Sequence, residues 1–289
     1  MHSKGPNIIN LILHILLIAI LLGGAGYYIR QAYADWSAER AAEIARLEYE
    51  RVLAEEKLSP LEETPKPLLQ LEDEAAAPAE TPTPTASPSA SPTPTAAPRE
   101  IQPLFQELRQ QYNNDDIVGY LKIDGTSIDY LVTQSSDNRF YLTKDIYKND
   151  NVAGWVFMDY ENDVSKDDLN TIIYGHNMKN DIMFHSLRNY QSQSFYNNHK
   201  YITFNTIYEN ATWEIFSFYR TDIYFRYIQV LFPSVEDFFS LATEMKARSA
   251  YDTGVELRPG DRVLTLSTCT NESEETRFVV NARLMKEDE

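Results

Sequence analysis

The chain contains one cysteine, Cys269. A single thiol excludes an intramolecular disulfide framework and a cysteine-rich metal site, which leaves either buried filler or a reactive group. A thiol of pKa about 8.5 is only a few per cent thiolate at neutral pH, so a nucleophilic cysteine needs a base or an imidazolium beside it. Five histidines are available: His2, His14, His176, His185 and His199. His2 and His14 belong to the amino-terminal segment, and His185 and His199 fall within or beside a helical stretch with ordinary surface neighbours. His176 follows the apolar run NTIIY and Gly175, so a strand presents it at its end with a flexible turn behind it. A strand-end histidine is equally what a structural role looks like, and spacing alone does not choose. The third group is Arg277. Seven polar residues, TNESEET, separate it from Cys269, a stretch suited to a hairpin loop that brings thiol and guanidinium together.

Side chains two apart in a strand share a face. Leu264, Leu266 and Thr268 therefore lie on one face, and Val263, Thr265, Ser267 and, if the strand continues, Cys269 on the other. In the following run Phe278, Val280, Ala282 and Leu284 form the apolar set, opposite Arg277, Asn281 and Arg283. Cys269 and Arg277 are expected to face away from the core. Eight such β-rich runs occur, at 117–123, 127–132, 154–158, 170–174, 201–206, 212–219, 262–267 and 277–284. They predict a closed barrel or a sandwich. Helices are expected at 101–112, 181–190 and 234–248, the last opened by Ser234 and Asp237 as a capping box.

The surroundings of this domain narrow the partners. With 43 acidic and 26 basic residues the net charge is −17, and from Glu100 onward 30 acidic face 18 basic residues. Phosphate neutralisation needs clustered Lys and Arg, so nucleic acid is excluded as a partner. Residues 7–29 carry no charge, and their 23 residues at about 1.5 Å each span roughly 34 Å, enough for a membrane. The run is too long for a typical cleaved leader, so it reads as an uncleaved anchor after a short cytoplasmic tail, 1–6. Residues 30–59 read as a solvated helical stalk with a thin stripe of Trp36, Ile44, Leu47 and Leu58. Residues 60–99, proline-, threonine- and serine-rich, cannot bury enough apolar surface to fold and read as a disordered spacer that holds domain 100–289 off a membrane. Glu272, Glu274 and Glu275 form a solvated acidic loop, and no metal or cofactor is assigned.

Three blocks now resemble one family. YGHNM at 174–178, TLSTC at 265–269 and RFVV at 277–280 are similar to the catalytic blocks of the sortases, and DNRFYL, NTIIYGHNM and the helix near 234–248 look like class B, found in Gram-positive bacteria. The resemblance spans residues 100–289. It implies a mainly β fold, a closed eight-stranded β-barrel with helical insertions behind a transmembrane helix and a stalk. It implies a cysteine transpeptidase, of the 3.4.22 hydrolase type, that cleaves secreted proteins after the Thr of an Asn-Pro-x-Thr-like sorting motif. The acyl group passes to an amine of the cell wall peptidoglycan or of another subunit, such as a pilin. Cys269 is then the nucleophile, His176 the acid and base, and Arg277 the oxyanion or substrate ligand. Asn138, Leu142, Tyr174 and Ser267 match the substrate groove. Thr270 follows the cysteine where some class B members carry an acid. The implied location is the cell membrane, single-pass, with the catalytic domain extracytoplasmic. Among rivals, a papain-like peptidase has its cysteine before its histidine, and an L,D-transpeptidase expects His-Gly and Gly-Cys contexts that are missing here. A membrane-anchored binding module would use the same barrel without chemistry.

Overall fold

The structure of the protein is a computed structural model, and it describes residues 8–58, 99–178, 181–269 and 275–286. The eight β-rich runs become eight strands: β1 Ile117–Lys122, β2 Asp129–Thr133, β3 Phe157–Met158, β4 Asn170–Tyr174, β5 Tyr201–Thr206, β6 Thr212–Asp222, β7 Val263–Cys269 and β8 Thr276–Leu284. They are ordered β1-β2-β3-β4-β7-β8-β6-β5, and β1 pairs with β5 to close the sheet. The alternative of a sandwich is thus settled in favour of a barrel, which leaves no unpaired edge. Leu121, Leu131, Ile173, Leu264, Leu266 and Val280 fill its interior with Phe204 and Phe218. Strand β3 is shorter than the run GWVFM suggests. Gly154 turns at φ +59, and a Cβ there would lie 2.5 Å from the Tyr141 carbonyl oxygen, so the chain is still in a tight turn when the run begins.

One expectation is corrected by a second layer. Val263, Thr265, Ser267 and Asn281 do leave the barrel core, yet they are buried, because α4 (Val235–Ala247) and the segment before it cover the outside of β6, β7 and β8. Phe216, Tyr219, Tyr227, Phe238, Met245, Val263 and Val279 pack there. The polar groups under this cover are satisfied in a chain. Ser217 donates to Asn281 (2.9 Å), Asn281 to Thr265 (2.8 Å), and Thr265 to Asn170 (2.7 Å). The Asn170 amide donates in turn to the carbonyls of Tyr227 and Gln229, both at 2.9 Å. Strand and cover are thereby tied together, as buried polar groups require. Ser234 caps α4 as expected, accepting from the Asp237 amide.

The expected helix at 101–112 is α2, Pro103–Tyr112, with Pro at its first turn. The expected helix at 181–190 is instead a 3-10 stretch, His185–Gln191, followed by the short α3, Gln193–Asn198. Helix α1 runs unbroken from Ile8 to Leu58. Its second half is not a solvated stalk. Trp36, Ile44 and Leu47 are exposed, while Ala34, Ala38, Ala41, Ala45, Tyr49 and Val52 are buried. These six recur at spacings of three and four, one face of a helix, and alanines let that face approach closely. Tyr49 stacks on Tyr120 of β1 at 3.6 Å and accepts from the Asn205 amide at 2.9 Å. Among the described residues no helix is long and apolar enough to cross a membrane. The tail 1–6, the start of the apolar run at Asn7, the linker up to residue 98, Thr270, Glu272 and Glu274 lie outside the described residues.

Candidate active site

Strands β4 and β7 lie side by side and parallel, with Tyr174 paired to Ser267. Two residues further along each chain come His176 and Cys269, at the same end of the barrel. Strand β7 then pairs antiparallel with β8, which sets Cys269 opposite Arg277. Backbone register alone therefore brings positions 176, 269 and 277 to three adjacent strand ends; of Cys269 it is the backbone that is described. The ladder does not stop at Tyr174, because the Gly175 amide still donates to the Ser267 carbonyl (3.3 Å). Gly175 is there for space rather than flexibility. A Cβ on it would sit 2.6 Å from Cγ of the buried Phe184, so only glycine lets the chain pass between ring and sheet.

His176 places Nε2 2.9 Å from the Leu142 carbonyl oxygen. A carbonyl only accepts, so Nε2 carries the proton, and Nδ1 is the nitrogen left to exchange one with a substrate. Leu142 ends a 3-10 turn, Phe140–Leu142, packed on Gly154. Arg277 donates to the neighbouring Thr276 carbonyl at 3.0 Å. Two more histidines are occupied elsewhere: His185 Nδ1 donates to the Asn177 side chain, and His199 Nδ1 to the Phe195 carbonyl.

Asn138, Leu142, Tyr174, His176, Ser267 and Arg277, all singled out in the sequence, line one cavity of about 290 Å³. Phe157, Ile223, Tyr227, Ile228 and Thr268 complete its wall. An extended peptide would meet an apolar trough there with few polar groups at fixed points. Those points are held from below by Asp159, only 3 % exposed, which the sequence did not single out. Its carboxylate accepts from the Asn138 amide and the Tyr174 hydroxyl, both at 2.8 Å, and from the Glu161 backbone at 2.9 Å. Burial, and then the negative charge of Asp159, push the Tyr174 phenol well above its ordinary pKa, so it stays a donor. Tyr227 was also missed. Its hydroxyl shares a 2.9 Å hydrogen bond with that of Ser267, across forty positions of sequence. Thr268 Oγ1 is buried on the cavity wall with no hydrogen-bond partner among the described residues. A larger depression of about 670 Å³ lies between the β6–α4 segment and α4. It holds none of these groups, and its cations are engaged, Arg248 with Glu244 and over the Phe225 ring, Arg226 with Gln229.

Known proteins are similar to this chain in sequence and fold. The sequence model of the Sortase domain family matches residues 121–285, more than half of the chain. Sortase B of Staphylococcus aureus is 37 % identical over 188 residues, 64 % of this chain and 76 % of that protein. Sortase B of Listeria monocytogenes is 42 % identical over 183 residues, 62 % and 74 % respectively. The solved structure of a Staphylococcus aureus sortase B–substrate complex superposes with a TM-score of 0.61 at 36 % identity, covering 65 % of this chain and 87 % of that one. Barrel order, the three strand-end blocks and these likenesses agree: the chain belongs to the sortase family, and within it to class B.

Proposed function

We propose that this sortase cleaves an Asn-Pro-x-Thr-like sorting motif after its Thr, with Cys269 as nucleophile, His176 as acid and base and Arg277 as oxyanion ligand. What carries the reading is the single cavity in which His176 and Arg277 meet the groove residues, at the strand end where register sets Cys269 opposite Arg277. The thiolate of Cys269 attacks the Thr carbonyl carbon and a C–S bond forms. As the tetrahedral intermediate collapses, the Thr–X C–N bond breaks and His176 Nδ1 gives its proton to the departing amine. The guanidinium of Arg277 donates to the carbonyl oxygen while it bears charge. An incoming amine then attacks the thioester, loses a proton to Nδ1 and releases the thiolate. The amine belongs to cell wall peptidoglycan or to another protein subunit; water in its place gives the hydrolase reaction. Asn138, Leu142, Tyr174 and Ser267 hold the motif. The uncharged run 7–29 anchors the chain in the cell membrane as a single span, with the barrel on the extracytoplasmic side.

The test is intact-mass analysis of the full chain in detergent, incubated with a pool of candidate sorting pentapeptides. The expected result is an acyl adduct on Cys269 that a small amine discharges. An unmodified thiol across the pool, in a folded protein, would refute the transpeptidase assignment and leave a binding module.

A further inference from the structure

The spacer expected at 60–99 would hold the barrel far from the membrane, but the contacts of α1 point the other way. Helix α1 does not end before the folded domain begins. From Ala34 to Val52 it contributes a face to the barrel's packing, and further contacts fix its height. Near the start of that face Ser37 accepts from the Asn151 amide at 3.1 Å. The backbone N–H of Asn151 donates to the Thr143 carbonyl, one residue past Leu142, whose own carbonyl holds His176. At the far end Arg51 reaches Glu107 (3.1 Å), and Glu48 bonds Gln111. Contacts descend along α2 as they ascend along α1, the order of an antiparallel pair. The end of α1 at Leu58 therefore faces the start of α2 at Pro103.

The stretch of α1 ahead of and around the start of that face has a composition of its own. At the end of the uncharged run and just beyond it, Tyr27, Tyr28, Tyr33 and Trp36 are all more than half exposed; the first two rings touch edge to face at 5.9 Å, and Tyr33 lies 5.8 Å from Trp36. Aromatic rings with one polar atom, at the end of the run 7–29 proposed above as the anchor, suit the headgroup layer of a bilayer.

We infer that α1 is a rigid mount that seats the barrel against the membrane surface, its aromatic rings between Tyr27 and Trp36 among lipid headgroups, so that the helix and not the proline-rich segment sets the height of the active site. This rests on the membrane-anchor reading given above. The distances separate the two designs clearly. Ser37 is eight residues beyond Ile29, about 12 Å along the axis, and it touches the loop of Leu142. A proline-rich spacer of some forty residues at about 3.1 Å each would allow on the order of 120 Å.

The experiment uses the full chain in vesicles, its only thiol, Cys269, labelled with a fluorescent donor and the lipid headgroups carrying an acceptor. Energy transfer then reads the height of the site. Replacing residues 61–97 by a short Gly-Ser connector is expected to leave the transfer unchanged. Inserting seven helix-forming residues after Ile29, two turns that preserve the docked face, is expected to raise the site by about 10 Å and reduce the transfer several-fold. A transfer that follows the connector and ignores the insertion would overturn the mount while leaving the anchor intact. A chain that fails to float with the vesicles would overturn the anchor itself.

Discussion

Replacing Asp159 by Asn exposes how far the groove depends on one buried carboxylate outside the cavity wall. The wild-type group accepts three hydrogen bonds, two of them on one oxygen from Asn138 and Tyr174. An amide keeps one oxygen. Placed toward Asn138 and Tyr174, it turns two charge-assisted bonds into neutral ones, about 1 kcal/mol each, and sets its NH2 against the Glu161 N–H, a partly buried donor whose lost acceptor costs about 1 kcal/mol more. The opposite flip is worse, since two donors then lose their acceptor. Relief from burying a charge returns part of this, which leaves about 2 kcal/mol of destabilisation. Urea unfolding should show the midpoint fall at constant slope. Steady-state kinetics with a sorting peptide should show KM rising more than kcat falls, because Asn138 and Tyr174 line the groove rather than the reacting bond. A double-mutant cycle with Tyr174→Phe should give a coupling of about 1–3 kcal/mol. Zero coupling, or an unaltered midpoint and KM, would refute the claim that Asp159 holds the groove together.

His176→Ala should abolish acylation by the peptide while an alkylating reagent still labels Cys269; loss of both would mean the fold rather than the proton donor was removed. Arg277→Lys keeps a charge but loses the planar fork, so turnover should drop at least tenfold, about 1.4 kcal/mol, and near-normal turnover would rule out a two-point oxyanion contact. Gly175→Ala drives a methyl into Phe184 and should both lower the unfolding midpoint and cut activity more than tenfold, measured on the folded fraction. Burial raises the phenols of Tyr130, Tyr190 and Tyr219, and Tyr251 to about 12. A group whose folded pKa lies above its unfolded value of about 10 contributes its stability below that pH and loses it as pH rises further. Tyrosinate absorbance should therefore climb together with loss of far-ultraviolet circular dichroism above pH about 10; gradual titration with the dichroism retained would contradict it.

The strands were legible because their faces alternate: Leu264 and Leu266 against Val263 and Thr265, Val280 and Ala282 against Asn281. The pairing of Cys269 with Arg277 was legible for the same reason, since a polar loop between two such runs gives a hairpin register. Burial on the second face was not, because α4 covers it from a distant part of the chain, and Thr265 or Asn281 read as solvent-facing until a neighbour satisfies them. The docked face of α1 escaped for a different reason. A search for large apolar residues finds Trp36, Ile44 and Leu47, whereas close helix packing selects the alanines at 34, 38, 41 and 45. Asp159 is one of 43 acidic residues, and nothing local distinguishes the one that ends up beneath Tyr174. The 3-10 stretch at His185–Gln191 shows the limit of periodicity over short segments, where tertiary contacts outweigh propensity.

The position of β7 between β4 and β8 also has a consequence in time. In a growing chain β1 to β6 are made before the nucleophile exists, and the gap beside β4 stays open until residues 263–284 arrive as a hairpin. Thr171 must then find Leu264, a contact across about half of the domain, and such long-range closure comes late because the loop entropy must be overcome first. Seating that hairpin closes the sheet and, in the same step, carries Cys269 alongside His176. On the roles proposed for Cys269 and His176, a half-made copy has the histidine without the thiol, and an unfolded one has both but apart, so neither is expected to act on the proteins the folded chain would cut.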